Sequence, residues 1–218
     1  MSYPNTSLDA KRIIDKCKKF ALGNQFLDIG AGYGLFTKEA IKLGFDCTAI
    51  EASSNSCEIF EGINNFKPRN QLFDIDFANA NQEKFDVVLL SQVLEHIPEP
   101  VNAVKLIQRV LKKDGVCAIA VPHFGSFISK IQGTKDMFIT PPEHLNFFSI
   151  KGLNNLFISN NFSIIITETI SRYDRNKLNT SIKPKFMALF AFQTLQFFFY
   201  ISDKLNKGMF INSFFRKK

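Results

Sequence analysis

Apolar and polar residues alternate along the chain in two patterns, one with the spacing of amphipathic helices and one of short apolar runs. Helical spacing predicts helices at 7–20, 35–43, 53–63, 98–113 and 185–206. The apolar runs predict strands at 25–28, 45–50, 71–73, 85–90, 116–121, 162–167 and 208–215. The run Phe85–Leu90 is nearly continuous, which is typical of a central parallel strand that is buried on both faces.

Strands and helices follow one another with short connections, which indicates an α/β fold with a mostly parallel sheet. Right-handed crossovers between parallel strands place the carboxyl ends of those strands at one edge of the sheet. We therefore expect any ligand to bind along that edge.

Composition restricts the class of protein. The chain has 218 residues, 45% of them hydrophobic, which excludes a disordered chain and suits one sizeable core. Its first twenty residues contain no apolar segment like that of a signal peptide, so we expect a cytoplasmic protein. The four cysteines are scattered without a C-x-x-C motif, which predicts reduced thiols instead of a disulfide framework or a zinc site.

Charge is concentrated at the C-terminal end. Residues 1–171 hold 17 basic and 18 acidic residues, whereas residues 172–218 hold 10 basic, 2 acidic and nine of the 25 Phe residues. We divide the chain into a core, 1–171, a basic Phe-rich helical insert, 172–207, and a last strand with a basic tail that returns to the core, 208–218. The helix within 184–207 has three interpretations: extra core, contact with the inner membrane face or a lipid-linked acceptor, or a homodimer surface.

A glycine-rich loop is the most informative motif. The segment from Asp28 to Gly34 reads D-I-G-A-G-Y-G, follows a predicted strand and opens a predicted helix. Its glycines allow a tight turn and close approach of the backbone to a ligand, and a helix N-terminus favours an anionic group. Its third glycine comes one residue earlier than in the dinucleotide fingerprint G-x-G-x-x-G, which disfavours an NAD-type oxidoreductase. Glu51 ends the next strand, 21 residues after Gly30, where a carboxylate can bind two ribose hydroxyls.

These residues resemble a known family. The segment FLDIGAGYGLFTKEAIKLGFDCTAIEAS is similar to the first motif and the acidic second-strand end of class I S-adenosylmethionine-dependent methyltransferases. The segments LFDIDFANANQEKFDVVLLSQVLEHIPEP, LKKDGVCAIAVP and PPEHLNFFSIKGLNNLFISNNFSIIIT are similar to later parts of the same family. The resemblance covers roughly residues 7–170. It implies a Rossmann-like sheet of seven strands with helices on both faces, the last strand antiparallel and preceded here by the helical insert.

The resemblance also implies a role for each matching residue with S-adenosylmethionine as the cofactor. The loop residues Gly30, Ala31, Gly32 and Gly34 would surround its methionine moiety, and Asp28 would lie near its amino group, directly or through water. By the same resemblance, Glu51 would bind the ribose. Ala52, Asp74 and Ile75 would lie beside the adenine. Ser91 and Gln92 would line the methyl-transfer site. Glu51 and Asp74 could instead be helix caps or solvated loop residues, and Asp76 competes with Asp74.

Glu95 and His96 follow the fourth strand. Related O-methyltransferases of ubiquinone biosynthesis and of small-RNA 2′-O-methylation carry Glu-x-x-Glu-His here to hold a divalent metal, and the small-RNA enzymes add a later histidine, which corresponds to His144. This chain has Gln92 where the first glutamate stands, and the loss of a carboxylate argues against a bound metal. The alternatives for Glu95, His96 and His144 are a general-base role, which suits imidazole, or hydrogen bonds that shape the loop. His123 is a further candidate.

The sequence therefore predicts a methyltransferase that acts on a small-molecule, glycan or lipid-linked acceptor, with oxygen favoured over nitrogen or carbon by the Glu-His subgroup. A non-catalytic scaffold that binds the cofactor is the alternative from another class. Nucleic acid is a less favoured acceptor, because the basic residues are interleaved with a Phe-rich helix and no nucleic-acid-binding motif is recognised.

Overall fold

A computed structural model describes residues 7–172 and 185–218, with side chains in the second range described from residue 192. Residues 1–6 and 173–184 lie outside the described part, so the predicted insert is described only at Arg172 and from Lys185 onward. The described helices are α1 Ser7–Phe20, α2 Leu35–Lys42, α3 Ser54–Asn64, α4 Ile75–Ala80, α5 Pro100–Val110, α6 Phe127–Gln132, α7 Ile150–Ile158 and α8 Lys185–Lys204. The strands are β1 Gln25–Ile29, β2 Asp46–Glu51, β3 Arg69–Asn70, β4 Phe85–Ser91, β5 Leu111–Pro122, β6 Phe162–Ile170 and β7 Phe210–Lys217.

The strands form one seven-stranded sheet in the order β3-β2-β1-β4-β5-β7-β6. The pairs among β1 to β5 are parallel, and β7 runs antiparallel between β5 and β6. The mostly parallel α/β sheet and its antiparallel last strand, both predicted above, are confirmed.

The sheet is buried on both faces because its central strands are apolar on both sides. Along β4, Val88 and Leu90 pack with α4, α5 and α7, whereas Val87 and Leu89 pack with α1 and α2. All four of these side chains are fully buried. Burial of such side chains contributes about 1.5–3 kcal/mol each, so the central strands hold the sheet edge in a defined place.

The predicted strand 71–73 and the predicted end of the helix 98–113 are wrong. The third strand is Arg69–Asn70, which pairs with the end of β2, and the predicted strand 71–73 is instead a loop. Leu72 and Phe73 of this loop line a cavity described below, and Phe73 also packs against the core. Helix α5 ends at Val110 and not near Lys113, because Leu111 is fully buried and already pairs with Phe85 at the start of β5.

Helix α8 packs one face against the end of the sheet. Phe199 is buried with Ile170 and Phe210, and the ring of Phe198 contacts that of Phe127 at a centroid distance of 6.2 Å. From residue 192 onward, the exposed positions of α8 combine apolar side chains, such as Phe197 and Ile201, with polar ones, such as Gln193 and Gln196. None of the helices in the described ranges is long and apolar enough to cross a bilayer.

Candidate functional site

A cavity of about 590 Å³ opens along the carboxyl ends of β1, β2 and β4. This is the edge at which the parallel topology predicts a ligand site, and the volume lies within the usual range for small-molecule and cofactor sites. We call it the main cavity. Five of the residues predicted or considered for the site line it: Gly30, Glu51, Ala52, Asp74 and His96.

The glycine loop lies at this edge of the sheet, and Gly30 lines the main cavity. Gly30, Gly32 and Gly34 all have positive φ angles, of 65°, 53° and 78°. A Cβ at Gly34 would collide with Phe60 and Asn64 of α3, whereas one at Gly32 would meet nothing within 4 Å. Ala31 is buried, and its N–H donates to the Ile50 carbonyl at 3.0 Å. The loop therefore holds a conformation that glycine adopts readily, with open space at Gly32.

Glu51 connects the end of β2 to that loop. Its Oε2 accepts a hydrogen bond from the Gly32 N–H, and its Oε1 accepts one from the Ser53 N–H, both at 2.8 Å. Two backbone donors orient the carboxylate at the cavity wall. Its neighbour Ala52 lines the same cavity.

Asp74 lies on the wall of the main cavity as the N-cap of α4. Its Oδ1 accepts a hydrogen bond from the Phe77 N–H at 2.9 Å, which leaves its other oxygen for a second partner. The next residue, Ile75, begins α4, is 47% exposed and is not among the residues that line the cavity.

Asp28 lies beneath α2 and is only 1% exposed. Its Oδ2 accepts a hydrogen bond from the Thr37 hydroxyl at 2.6 Å. Burial raises the pKa of Asp28 to about 6, against the lowering effect of the Thr37 hydrogen bond. The structure thus places this carboxylate behind the glycine loop, and a contact with the cofactor stays a prediction.

Ser91 is the last residue of β4 instead of following it, and Gln92 comes directly after the strand as predicted, but neither lines the main cavity. Gln92 has a positive φ of 58°, and its backbone N–H and its side-chain Nε2 both donate to the Ala120 carbonyl, at 2.8 and 3.2 Å. Its Oε1 points into a smaller pocket, described below. The Ser91 hydroxyl is buried without a hydrogen-bond partner in the described ranges.

Glu95, His96 and His144 come together beside the main cavity. One possible ligand atom from each lies within 4.8 Å of the other two, and the imidazole rings are 4.8 Å apart between centroids. The loop that carries His144 is held there because the N–H groups of Leu145 and Asn146 donate to the Glu95 carbonyl, at 2.9 and 3.0 Å. The sequence indicated these residues separately, and the fold joins them.

The tautomers of the two neutral histidines follow from their hydrogen bonds. Nδ1 of His96 donates to the Glu143 carbonyl and Nδ1 of His144 to the Phe138 carbonyl, each at 2.7 Å, so each Nε2 is left as an acceptor when the ring is neutral. Glu95 is 1% exposed, and neither of its carboxylate oxygens has a partner among the described residues. Burial raises the pKa of Glu95 to about 8.

A divalent cation fits this donor set. Two imidazole nitrogens and a buried carboxylate without a partner are the usual ligands of borderline metals, and the backbone carbonyls on Nδ1 orient the rings as in metal sites. Gln92 points elsewhere, so it does not replace the glutamate that the resemblance implies. His123, the third candidate histidine, is not part of this cluster, although it lines a small pocket with His144; its Nδ1 is bonded to the Gly208 carbonyl at 2.9 Å.

The sequence missed much of the apolar wall of the main cavity. Leu72 and Phe73 line it from the loop that replaces the predicted strand, and Asn102, Ala103 and Leu106 line it from α5. The spacing of the last three is that of one helix face. This spacing in the sequence predicts a buried helix face, but it does not predict which part of the protein that face contacts.

The comparisons with known proteins agree with this geometry. A family model described as "Methyltransferase domain" matches residues 6–166. Ubiquinone biosynthesis O-methyltransferase from Haemophilus ducreyi is 29% identical over 102 residues, which are 43% of this chain and 43% of that protein. The protein of the same name from Caulobacter vibrioides is 32% identical over 106 residues, 45% of this chain and 40% of that protein. The chain therefore spans less than half the length of these relatives.

A solved structure shares the whole fold. The chain superposes on a SAM-dependent methyltransferase from Archaeoglobus fulgidus with a TM-score of 0.69 and 17% identity, covering 96% of this chain and 93% of that one. At this identity the likeness concerns the fold alone.

Proposed function

The chain belongs to the S-adenosylmethionine-dependent methyltransferases, and from this premise we propose that it transfers the methyl group to a hydroxyl oxygen of a small-molecule acceptor. One observation carries the proposal. His96 lines the same cavity as Gly30 and Glu51, so a group that can take a proton lies against the space where the cofactor would bind. The names of the relatives, which are O-methyltransferases, support an oxygen acceptor.

In this proposal the glycine loop, Glu51 and Asp74 bind the three parts of the cofactor. The open space at Gly32 would admit the methionine moiety next to the N-terminus of α2. Glu51, oriented by two backbone N–H groups, would accept hydrogen bonds from the ribose hydroxyls. Asp74, through the oxygen that α4 does not use, would accept one from the adenine amino group.

The methyl group of S-adenosylmethionine is activated by its positively charged sulfur. The protein therefore has to hold the acceptor in line and remove the hydroxyl proton. His96 is the proposed base, because its Nδ1–H is bonded to the Glu143 carbonyl and its Nε2 can accept the proton. The ring of His144 packs against that of His96, and Glu95 would stabilise the protonated imidazole of His96 when its own carboxyl group is ionised.

A divalent cation is the second way to activate the hydroxyl, and Glu95, His96 and His144 would hold it. Such a cation would supply Lewis acidity that lowers the pKa of a bound hydroxyl. The two modes exclude each other at His96, because one lone pair cannot bind both a cation and a proton. Activity with and without chelator separates them.

The decisive experiment is methyl transfer from labelled S-adenosylmethionine into a cell extract divided into soluble small-molecule, membrane-lipid, nucleic-acid and protein fractions. We expect label in the small-molecule fraction. The control is Gly32→Arg, whose side chain would fill the open space at the loop. Label confined to the lipid or nucleic-acid fraction would replace the acceptor class proposed here. Cofactor binding without any labelled fraction would favour the scaffold alternative.

A further inference from the structure

A second, smaller pocket lies at the same edge of the sheet, on the α1 side. It has a volume of about 20 Å³ and lies between α1, the end of β4, β5 and β7. We call it the edge pocket and define it by Asp9, Gln92, Ala120, Arg172, Phe210 and Asn212, which line it with Ile13 and Ile170. Val93, the residue after Gln92, lines the main cavity, so the two spaces lie on either side of this turn.

Two amide groups of the edge pocket lack the partners that buried amides normally have. Asn212 is 1% exposed, and its Nδ2 has no hydrogen-bond partner in the described part of the chain. The same is true of Oε1 of Gln92. A buried polar group without a partner costs about 1–3 kcal/mol, so two in one pocket need an explanation.

The assignment of the Gln92 amide follows from its surroundings. Its Nε2 donates to the Ala120 carbonyl, which cannot donate in return, so the atom left in the pocket is the oxygen. Gln92 is held in this place by its strained backbone, with φ at 58°, and by a second hydrogen bond to Ala120 from its own N–H. Strain of this kind concentrates at functional sites.

The charges at the pocket cancel. The Arg172 guanidinium donates to Asp9 from Nε at 2.9 Å and from Nη2 at 2.5 Å, and Asp9 is 3% exposed. The remaining groups that face the pocket are one carbonyl acceptor and one amide donor. A ligand group that suits them is neutral, donates one hydrogen bond and accepts another. A hydroxyl does both, and the volume admits one group of about the size of a water molecule.

We propose that the edge pocket is the subsite that recognises a hydroxyl group of the methyl acceptor, with Gln92 accepting its hydrogen and Asn212 donating to its oxygen. This inference rests on the proposed function and names the acceptor as a neutral alcohol or phenol. Carboxylates and phosphates are disfavoured because Arg172 is already neutralised and Gln92 offers an acceptor. An acceptor analogue without the hydroxyl leaves both amides unpaired and binds poorly.

The test replaces Asn212 with leucine, which has nearly the same shape and no donor. The probe is the extract fraction that the wild-type protein labels, used in a dilution series to obtain half-saturation, with the melting temperature and the affinity for S-adenosylmethionine measured in parallel. We expect half-saturation to need at least tenfold more extract. The melting temperature should stay or rise, because an unpaired amide is removed, and cofactor affinity should stay within twofold.

The matched control is Asn81→Leu. Asn81 is also a buried asparagine, but its Nδ2 donates to the Phe77 carbonyl at 2.9 Å, so its loss should lower the melting temperature and leave half-saturation unchanged. Asn212→Asp keeps the shape and replaces the donor with an acceptor. It replaces the leucine variant if that variant does not fold, and it should also raise the extract concentration needed for half-saturation.

Unchanged half-saturation in the Asn212 variants, whether the melting temperature falls, stays or rises, would overturn the inference, because the pocket would then hold only a structural water. Failure of the proposed function looks different. In that case the wild-type protein labels no fraction, and the inference falls with it.

Discussion

The Glu51 carboxylate accepts a hydrogen bond from the backbone N–H of Gly32 at 2.8 Å. The two residues are 19 positions apart; Gly32 lies in the loop after β1, and Glu51 ends the adjacent strand β2. This contact holds the glycine loop against the wall proposed to bind the ribose, so Glu51 contributes both to the shape of the loop and to the ligand surface.

Replacing Glu51 with alanine should therefore weaken cofactor binding by more than one contact. Hydrogen bonds to charged groups are worth about 1.5–3 kcal/mol each, so we expect the Kd for S-adenosylmethionine to rise at least tenfold in calorimetry. Glu51→Gln keeps an acceptor for Gly32 and should lose less. The control is Glu58→Gln on the exposed face of α3. Equal affinity in Glu51→Ala and wild type would refute the role of this carboxylate.

The buried carboxylate of Asp28 should make stability depend on pH. Its pKa is about 6 in the folded protein and 3.8 for the ordinary side chain. Between these values the folded state binds more protons than the unfolded state, so the free energy of unfolding falls as pH rises from about 4 to 6. Asp28→Asn should remove this slope and be more stable at pH 7 by up to about 3 kcal/mol. Urea unfolding of both proteins at pH 4, 5, 6 and 7 measures the difference, and parallel curves would contradict the prediction.

The cluster of Glu95, His96 and His144 should bind a divalent transition metal if the cation mode operates. We expect Mn²⁺ or Zn²⁺, but not chelator-treated buffer, to raise the melting temperature of the wild-type protein. Glu95→Gln removes the buried carboxylate and should abolish the shift. Glu143→Gln is the matched control, because its side chain is exposed and only its carbonyl contacts His96. Full methyl transfer in chelator, with no thermal shift, would leave His96 as the base.

The exposed face of α8 should bind anionic vesicles if it contacts a membrane. Phe197 on α8 and Leu205, directly after its end, are 68% and 58% exposed, and Lys204 and Lys207 flank Leu205 in the sequence. We expect co-sedimentation of the wild-type protein and its loss in the double variant Phe197→Glu, Leu205→Glu. The double variant Gln193→Glu, Gln196→Glu adds the same charge to exposed polar positions and controls for net charge. No vesicle binding, together with a dimer in solution that the first variant disrupts, would identify a homodimer surface instead.

Most of the fold was predictable because its signals are local. The continuous apolar run of β4, the amphipathic spacing of α1 and the glycines after β1 each specify an element within a few residues. The third strand was misplaced for a physical reason. Leu72 and Phe73 line the main cavity and Phe73 also packs against the core, and a sequence pattern does not distinguish such a loop from a strand.

By itself the sequence determined the α/β class, the glycine loop and the acidic strand ends, since each depends on neighbours in the chain or on the common edge of a parallel sheet. Only the tertiary structure decided which side chains meet. His144 lies 48 positions after His96, and Asn212 lies 120 positions after Gln92. Such pairs form because β5 and β7 bring distant segments to one edge, and the direction in which Gln92 points depends on a backbone angle that neither spacing nor composition encodes.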